Sequence, residues 1–127
     1  YITHPLRMMG RTKDPDEQIV AVLHDCVEDG LQNGVTLQTI RDAGFPAHIV
    51  AAVDALTRRT TASHPDIDQD EPYEAFVERA SADPLARAVK LLDLADNMDL
   101  TRLPSIGDDD VERMRRYRAA WLRITGT

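Results

Sequence analysis

The chain has 127 residues, 43% of them hydrophobic and 29% charged, with a formal net charge of −7, which fits one folded domain and is too short for two independent cores. An acidic surface repels polyanions on average, which excludes a general binder of nucleic-acid polymers; any phosphate ligand needs a local positive site, and a metal ion supplies one most economically. Cys26 is the only cysteine and no stretch has the apolar length of a membrane span or signal-peptide core, so a disulfide-free protein of the cytoplasm is expected.

The chain opens on Tyr1 rather than Met, in the run Tyr1-Ile2-Thr3-His4-Pro5-Leu6. Pro5 favours a helix that starts just after His4. Next, Asp14-Pro15-Asp16-Glu17 is a strong helix start: Asp14 accepts from the free N–H groups, Pro15 suits the first helical position and Glu17 completes a capping box. This helix is expected to run to about Asp29, with Gly30 as its stop. Thr36 caps a short helix through Ala43 that Gly44 ends, and Pro46 opens another carrying Ile49, Val50, Val53 and Leu56.

From Arg58 to Pro72 the composition turns to Thr, Ser, Asp and Pro, with Ile67 almost the only apolar residue. This reads as a solvated insertion or lid. A helix resumes at about Tyr73 to Ala82, and Asp83-Pro84 caps a long one, Leu85 to Leu100, that is apolar on nearly every side and therefore central. The acids Asp108 to Asp110 precede a last helix, Val111 to Ile124, with Val111, Met114, Trp121 and Ile124 spaced to face the core. Strand-like alternation is scarce, so the expected fold is all-α, one helical bundle over residues 1–127.

On a helical wheel, Ile19, Val20, Val22, Leu23, Cys26 and Val27 take one side and Glu17, His24, Asp25, Glu28 and Asp29 the other. The wheel fits a solvated acidic face with one incidental histidine as well as it fits a ligand set. Asp93 adds a constraint, because it lies in the apolar run Val89 to Ala95, where a carboxylate must be compensated. A lysine or arginine partner would do so. A metal shared with His24 and Asp25 accounts for more residues at once, and His4 is the candidate fourth ligand, although alone it reads as a surface or capping histidine. His48 and His64 have no comparable surroundings.

Tyr1-Ile2-Thr3-His4-Pro5, then His24-Asp25 followed by Glu28-Asp29, then Lys90-Leu91-Leu92-Asp93 ending in Asn97-Met98, together resemble the HD-superfamily hydrolase domain of RelA/SpoT proteins and their small stand-alone relatives. The resemblance runs from Tyr1 to roughly Tyr117. It implies a helical domain holding one divalent ion, usually Mn2+, through His4, His24, Asp25 and Asp93, with Glu28 and Asp29 activating or orienting the attacking water. It also implies nucleotide contacts from Asn97, Arg113 and Tyr117; Arg115, Arg116, Arg118 and Arg123 share that last helix, so a solvated basic face is the alternative there. Lys90 is a further basic candidate. Where the family commonly reads Asp-Arg-Leu-His-Asn, this chain reads Asp93-Leu94-Ala95-Asp96-Asn97. The family's upstream helix and basic base-binding segment have no counterpart in the 127 residues, so an upstream element or a different mode of base recognition is expected.

The function this implies is metal-dependent removal of phosphate or pyrophosphate from a nucleotide, most nearly (p)ppGpp 3′-pyrophosphohydrolysis, with a small nucleotide rather than a polymer or membrane as partner. Two rivals stand beside it. One is an HD phosphohydrolase acting on another nucleotide, such as a 5′-nucleotide or a phosphorylated dinucleotide. The other is a metal-binding helical module without turnover.

Overall fold

A computed structural model describes residues 3–27 and 34–126. Among them are seven α-helices and no strand: α1 (Thr3–Gly10), α2 (Pro15–Leu23), α3 (Leu37–Asp42), α4 (Ala47–Ala55), α5 (Tyr73–Ser81), α6 (Pro84–Asn97) and α7 (Asp108–Thr125), with a 3-10 turn at Leu100–Arg102. The chain is therefore an all-α bundle. No described helix is long and apolar enough to cross a membrane.

Local chemistry explains most of the boundaries. Asp14 accepts from the amides of Asp16 and Glu17, Asp83 from those of Leu85 and Ala86, and Thr36 forms a reciprocal capping box with Thr39, each satisfying donors that a helix start leaves free. Gly44 follows α3 with a φ of 92°, a left-handed conformation that a side chain would strain. The expected capping box at Glu17 does not form. Its carboxylate instead accepts the Thr12 hydroxyl at 2.9 Å, and that hydroxyl accepts the Asp14 amide at 3.2 Å, so Thr12 takes over the return bond.

Two helices differ from the sequence expectation. α2 ends at Leu23 instead of near Asp29, and residues 24–27 form a turn. The cause is local: the Cys26 amide bonds back to the Leu23 carbonyl in a tighter, three-residue step, and the His24 ring bonds to the Ala21 carbonyl. Glu28, Asp29 and Gly30 lie outside the described residues. The long helix ends at Asn97 rather than Leu100, because the Asp99 side chain caps the following 3-10 turn through the Thr101 amide.

The core has two parts divided by α6. Met8, Val20, Ile49, Val53 and Val89 belong to one; Val77, Leu94, Ala120 and Ile124 to the other. α6 packs against α1, α2, α4, α5 and α7, the central place its apolar sides predict. Val111 was expected to face the core, yet it is 40% exposed, and Ile19 and Val22 of the apolar side of α2 are each 37% exposed. α2 buries Val20 and Ala21 instead, and the long α7 buries Ala120 and Ile124.

The segment from Arg58 to Pro72 has no helix but is anchored at both ends by one residue. Glu71 receives Nε and Nη2 of Arg79 at 3.0 and 2.8 Å and the Arg59 amide at 3.1 Å, while its carbonyl accepts Arg58 Nε at 2.6 Å. Arg79 also donates to the carbonyls of Asp54 and Thr57. The loop is thereby tied to the ends of α4 and α5.

Candidate metal centre and cavity

Three elements bring the candidate ligands together. His4 stands in the first turn of α1, His24 in the turn that closes α2, and Asp93 on the central α6. One ligand atom from each of these three lies within 4.8 Å of the others. Asp93 Oδ1 is 2.9 Å from His4 Nε2 and 3.8 Å from His24 Nε2, and Asp25 Oδ1 is 3.2 Å from the same His24 nitrogen. Asp25 therefore joins the group through His24, although it is not among the three that converge most closely.

The outward nitrogen of each ring is already engaged. His24 Nδ1 is 2.6 Å from the Ala21 carbonyl and His4 Nδ1 is 2.5 Å from Asp96 Oδ2. A carbonyl has no proton to give, so His24 Nδ1 is the donor and its Nε2 is left for the site. Two imidazole nitrogens and carboxylate oxygens make a mixed donor set suited to a divalent transition metal, and outer-shell acceptors on the far ring nitrogens are what such sites use to orient histidine.

The electrostatics are those of a tightly paired cluster. Burial works against ionisation of Asp93, but Lys90 Nζ at 3.0 Å and bonds from His24 and His4 outweigh it and hold the carboxyl well below its ordinary range. His4 is pushed up chiefly by its bond to Asp93, against burial and with help from Asp96. Burial opposes charge on His24 as well, yet Asp93 and Asp25 raise it. Asp96 has 0% exposure; burial resists its charge, but bonds from Arg7 and His4 bring its carboxyl down to about 2.

These groups open onto a cavity of about 530 Å³. His4, His24, Asp25 and Asp93 line it together with Arg58, Lys90 and Arg116 and the rings of Tyr73, Phe76 and Tyr117. Lys90 Nζ lies 5.0 Å from the Phe76 ring centre, and Arg116 lies 5.4 Å from that of Tyr73 and 5.5 Å from that of Tyr117, so the aromatic faces hold the cations in place. Tyr73 Oη is buried and has no hydrogen-bond partner among the described residues, and burial raises the pKa of the phenol.

Of the expected nucleotide contacts, Asn97 and Tyr117 line this cavity and Arg113 does not. Asn97 Nδ2 donates to Asp93 Oδ1 at 3.1 Å. Arg113 pairs with Asp110 and lines a smaller adjacent groove of about 190 Å³ that shares Asn97 and Tyr117. Glu28 and Asp29 lie outside the described residues. Sequence reasoning missed Arg58, Arg116 and Tyr73, and it treated Asp96 only as a departure from a motif. The spacing of three between Asp93 and Asp96 was a readable signal, since it puts both acids on one helix face. Arg58 had none, because a carbonyl 13 residues away holds its guanidinium.

The chain matches no protein-family model and no curated protein.

Proposed function

We propose that the chain is an HD-type, metal-dependent phosphohydrolase that removes phosphate or pyrophosphate from a small nucleotide, with the 3′-pyrophosphate of (p)ppGpp as the leading substrate. One observation carries this reading: two histidines from different elements turn Nε2 toward a single buried oxygen of Asp93 while their Nδ1 atoms are held from outside. His4, His24, Asp25 and Asp93 would hold one divalent cation, Mn2+ by the resemblance. When bound, such a cation makes water acidic enough to serve as a nucleophile near neutral pH.

The remaining chemistry belongs to the protein. Arg58, Lys90 and Arg116 face the same cavity and bind phosphate oxygens, offsetting charge that builds as water attacks phosphorus and the P–O bond to the leaving group breaks. Asn97 steadies Asp93 and contacts the ribose. Glu28 and Asp29 receive the proton of the attacking water, a role the resemblance implies. With a net charge of −7, an anion is favoured only where basic groups gather, as Arg58, Lys90 and Arg116 do around this cavity, in keeping with a small ligand in the cytoplasm.

A second reading has an observation of its own. Lys90 already neutralises Asp93, so the buried carboxylate is tolerable without a cation, as in a helical module without turnover. A Mn2+-dependent hydrolysis screen over ppGpp and common nucleotides separates the readings. Pyrophosphate release from ppGpp, lost in Asp93→Ala together with bound Mn2+, is the expected result. Release of phosphate from a different nucleotide would change the substrate. No turnover of any nucleotide would leave the module.

A further inference from the structure

Asp93 and Asp96 are one turn apart on α6 and take the two nitrogens of the same imidazole. His4 Nε2 is 2.9 Å from Asp93 Oδ1 and His4 Nδ1 is 2.5 Å from Asp96 Oδ2. The ring is thus strung between two acids of one helix. Asp96 is itself fixed: its oxygens accept Arg7 Nε at 2.8 Å and Arg7 Nη2 at 3.0 Å, and Arg102 Nη1 and Arg11 Nη2 stand 3.5 and 3.8 Å away. Arg102 also donates to the Asp96 backbone carbonyl at 3.0 Å. No atom of Asp96 reaches solvent, at 0% exposure, and it does not line the cavity.

We propose that Asp96 is the positioning residue of the candidate metal centre, fixing both the orientation of the His4 ring and the tautomer that leaves Nε2 free to ligate. The inference rests on the metal site proposed above. A charged carboxylate can only accept, so the ring nitrogen facing it must carry hydrogen. Asp93 Oδ1 faces Nε2 in the same way at 2.9 Å, so without a cation both ring nitrogens can carry hydrogen; when a cation takes Nε2, that proton leaves and Asp96 keeps the one on Nδ1. Carboxylates that grip the far nitrogen of a ligating histidine are worth about 10–100-fold in metal affinity. A purely structural role, stapling α1 to α6 through Arg7, would require neither the proton on Nδ1 nor the short contact to the ring.

Two measurements on the intact chain test this. Long-range 1H–15N correlation of wild type loaded with diamagnetic Zn2+ is expected to show His4 ligating through Nε2 with the proton on Nδ1, and a mixed or altered pattern in Asp96→Asn. Titration with Mn2+ is expected to show an affinity about 10–100-fold weaker in folded Asp96→Asn. A Zn2+-loaded wild-type His4 protonated on Nε2, or a folded Asp96→Asn that binds Mn2+ as wild type does, overturns the assignment alone. Wild type that does not bind Mn2+ overturns the metal site and this assignment with it. If Asp96→Asn does not fold, the wild-type tautomer still decides.

Discussion

Lys90 Nζ lies 3.0 Å from Oδ2 of Asp93, one helical turn away and slightly more buried, which leaves Oδ1 to face His4, His24 and Asn97. The two oxygens of one carboxylate thus serve different ends. Oδ2 holds the charge inside the protein, and Oδ1 is presented to the site.

Lys90→Met is therefore expected to destabilise the metal-free protein by about 3 kcal/mol, the order of a broken buried ion pair. The same change removes a positive charge beside the cation site, so Mn2+ should bind more tightly. By linkage the stability loss shrinks in saturating Mn2+. Urea denaturation with and without the metal measures both effects, and an equal loss in the two conditions would show that Lys90 and a cation do not share Asp93.

Mn2+ at about 100 times its dissociation constant should stabilise wild type by about 2.7 kcal/mol, and a chelator should remove that gain. In Asp93→Ala or His24→Ala, thermal midpoints with Mn2+ and with chelator should coincide. A Mn2+-dependent rise that survives in Asp93→Ala would place the binding elsewhere.

Arg116 lines the cavity and Arg113 does not. Steady-state kinetics on the preferred nucleotide should then show kcat/KM falling about 10–100-fold in Arg116→Ala, the order of one charge-assisted bond of about 1.5–3 kcal/mol. Arg113→Ala, which loses only an exposed pair with Asp110, should stay within about threefold. The reverse order would move the phosphate site to the neighbouring groove.

Glu71 links stability to acid. Its bonds from Arg79, helped by the Arg59 amide against burial, hold its carboxyl below the ordinary value of 4.5. A group lowered in the folded state adds stability above its unfolded pKa, and that contribution disappears as pH falls through the lower folded value. Glu71→Gln should therefore be less stable than wild type at neutral pH, and the difference should narrow below about 4.5. Parallel denaturation curves from pH 7 to 3 with a constant gap would contradict this linkage.

Helix starts were legible in the residues because caps are local: Asp14, Thr36 and Asp83 each bond amides two or three positions ahead. The central place of α6 was legible too, since a helix apolar on most sides needs neighbours on most sides. The wheel used for His24 and Asp25 was less sound, because α2 stops at Leu23 and a turn carries both residues to the site. Nothing periodic announces a bond from a histidine ring to the carbonyl three residues back. Arg113 and Arg116 show the same limit: both lie on a helix rich in arginine, and only its rotation against α5 and α6 decides which one meets the cavity.

His4 meets its two carboxylates 89 and 92 positions farther along the chain. During synthesis α1 has its histidine without a place to dock until Asp93 and Asp96 follow. Nascent or truncated chains that stop before Asp93 would carry both imidazoles without the carboxylate between them, so a cation at the proposed site would have to enter after α6 is in place rather than seed the fold.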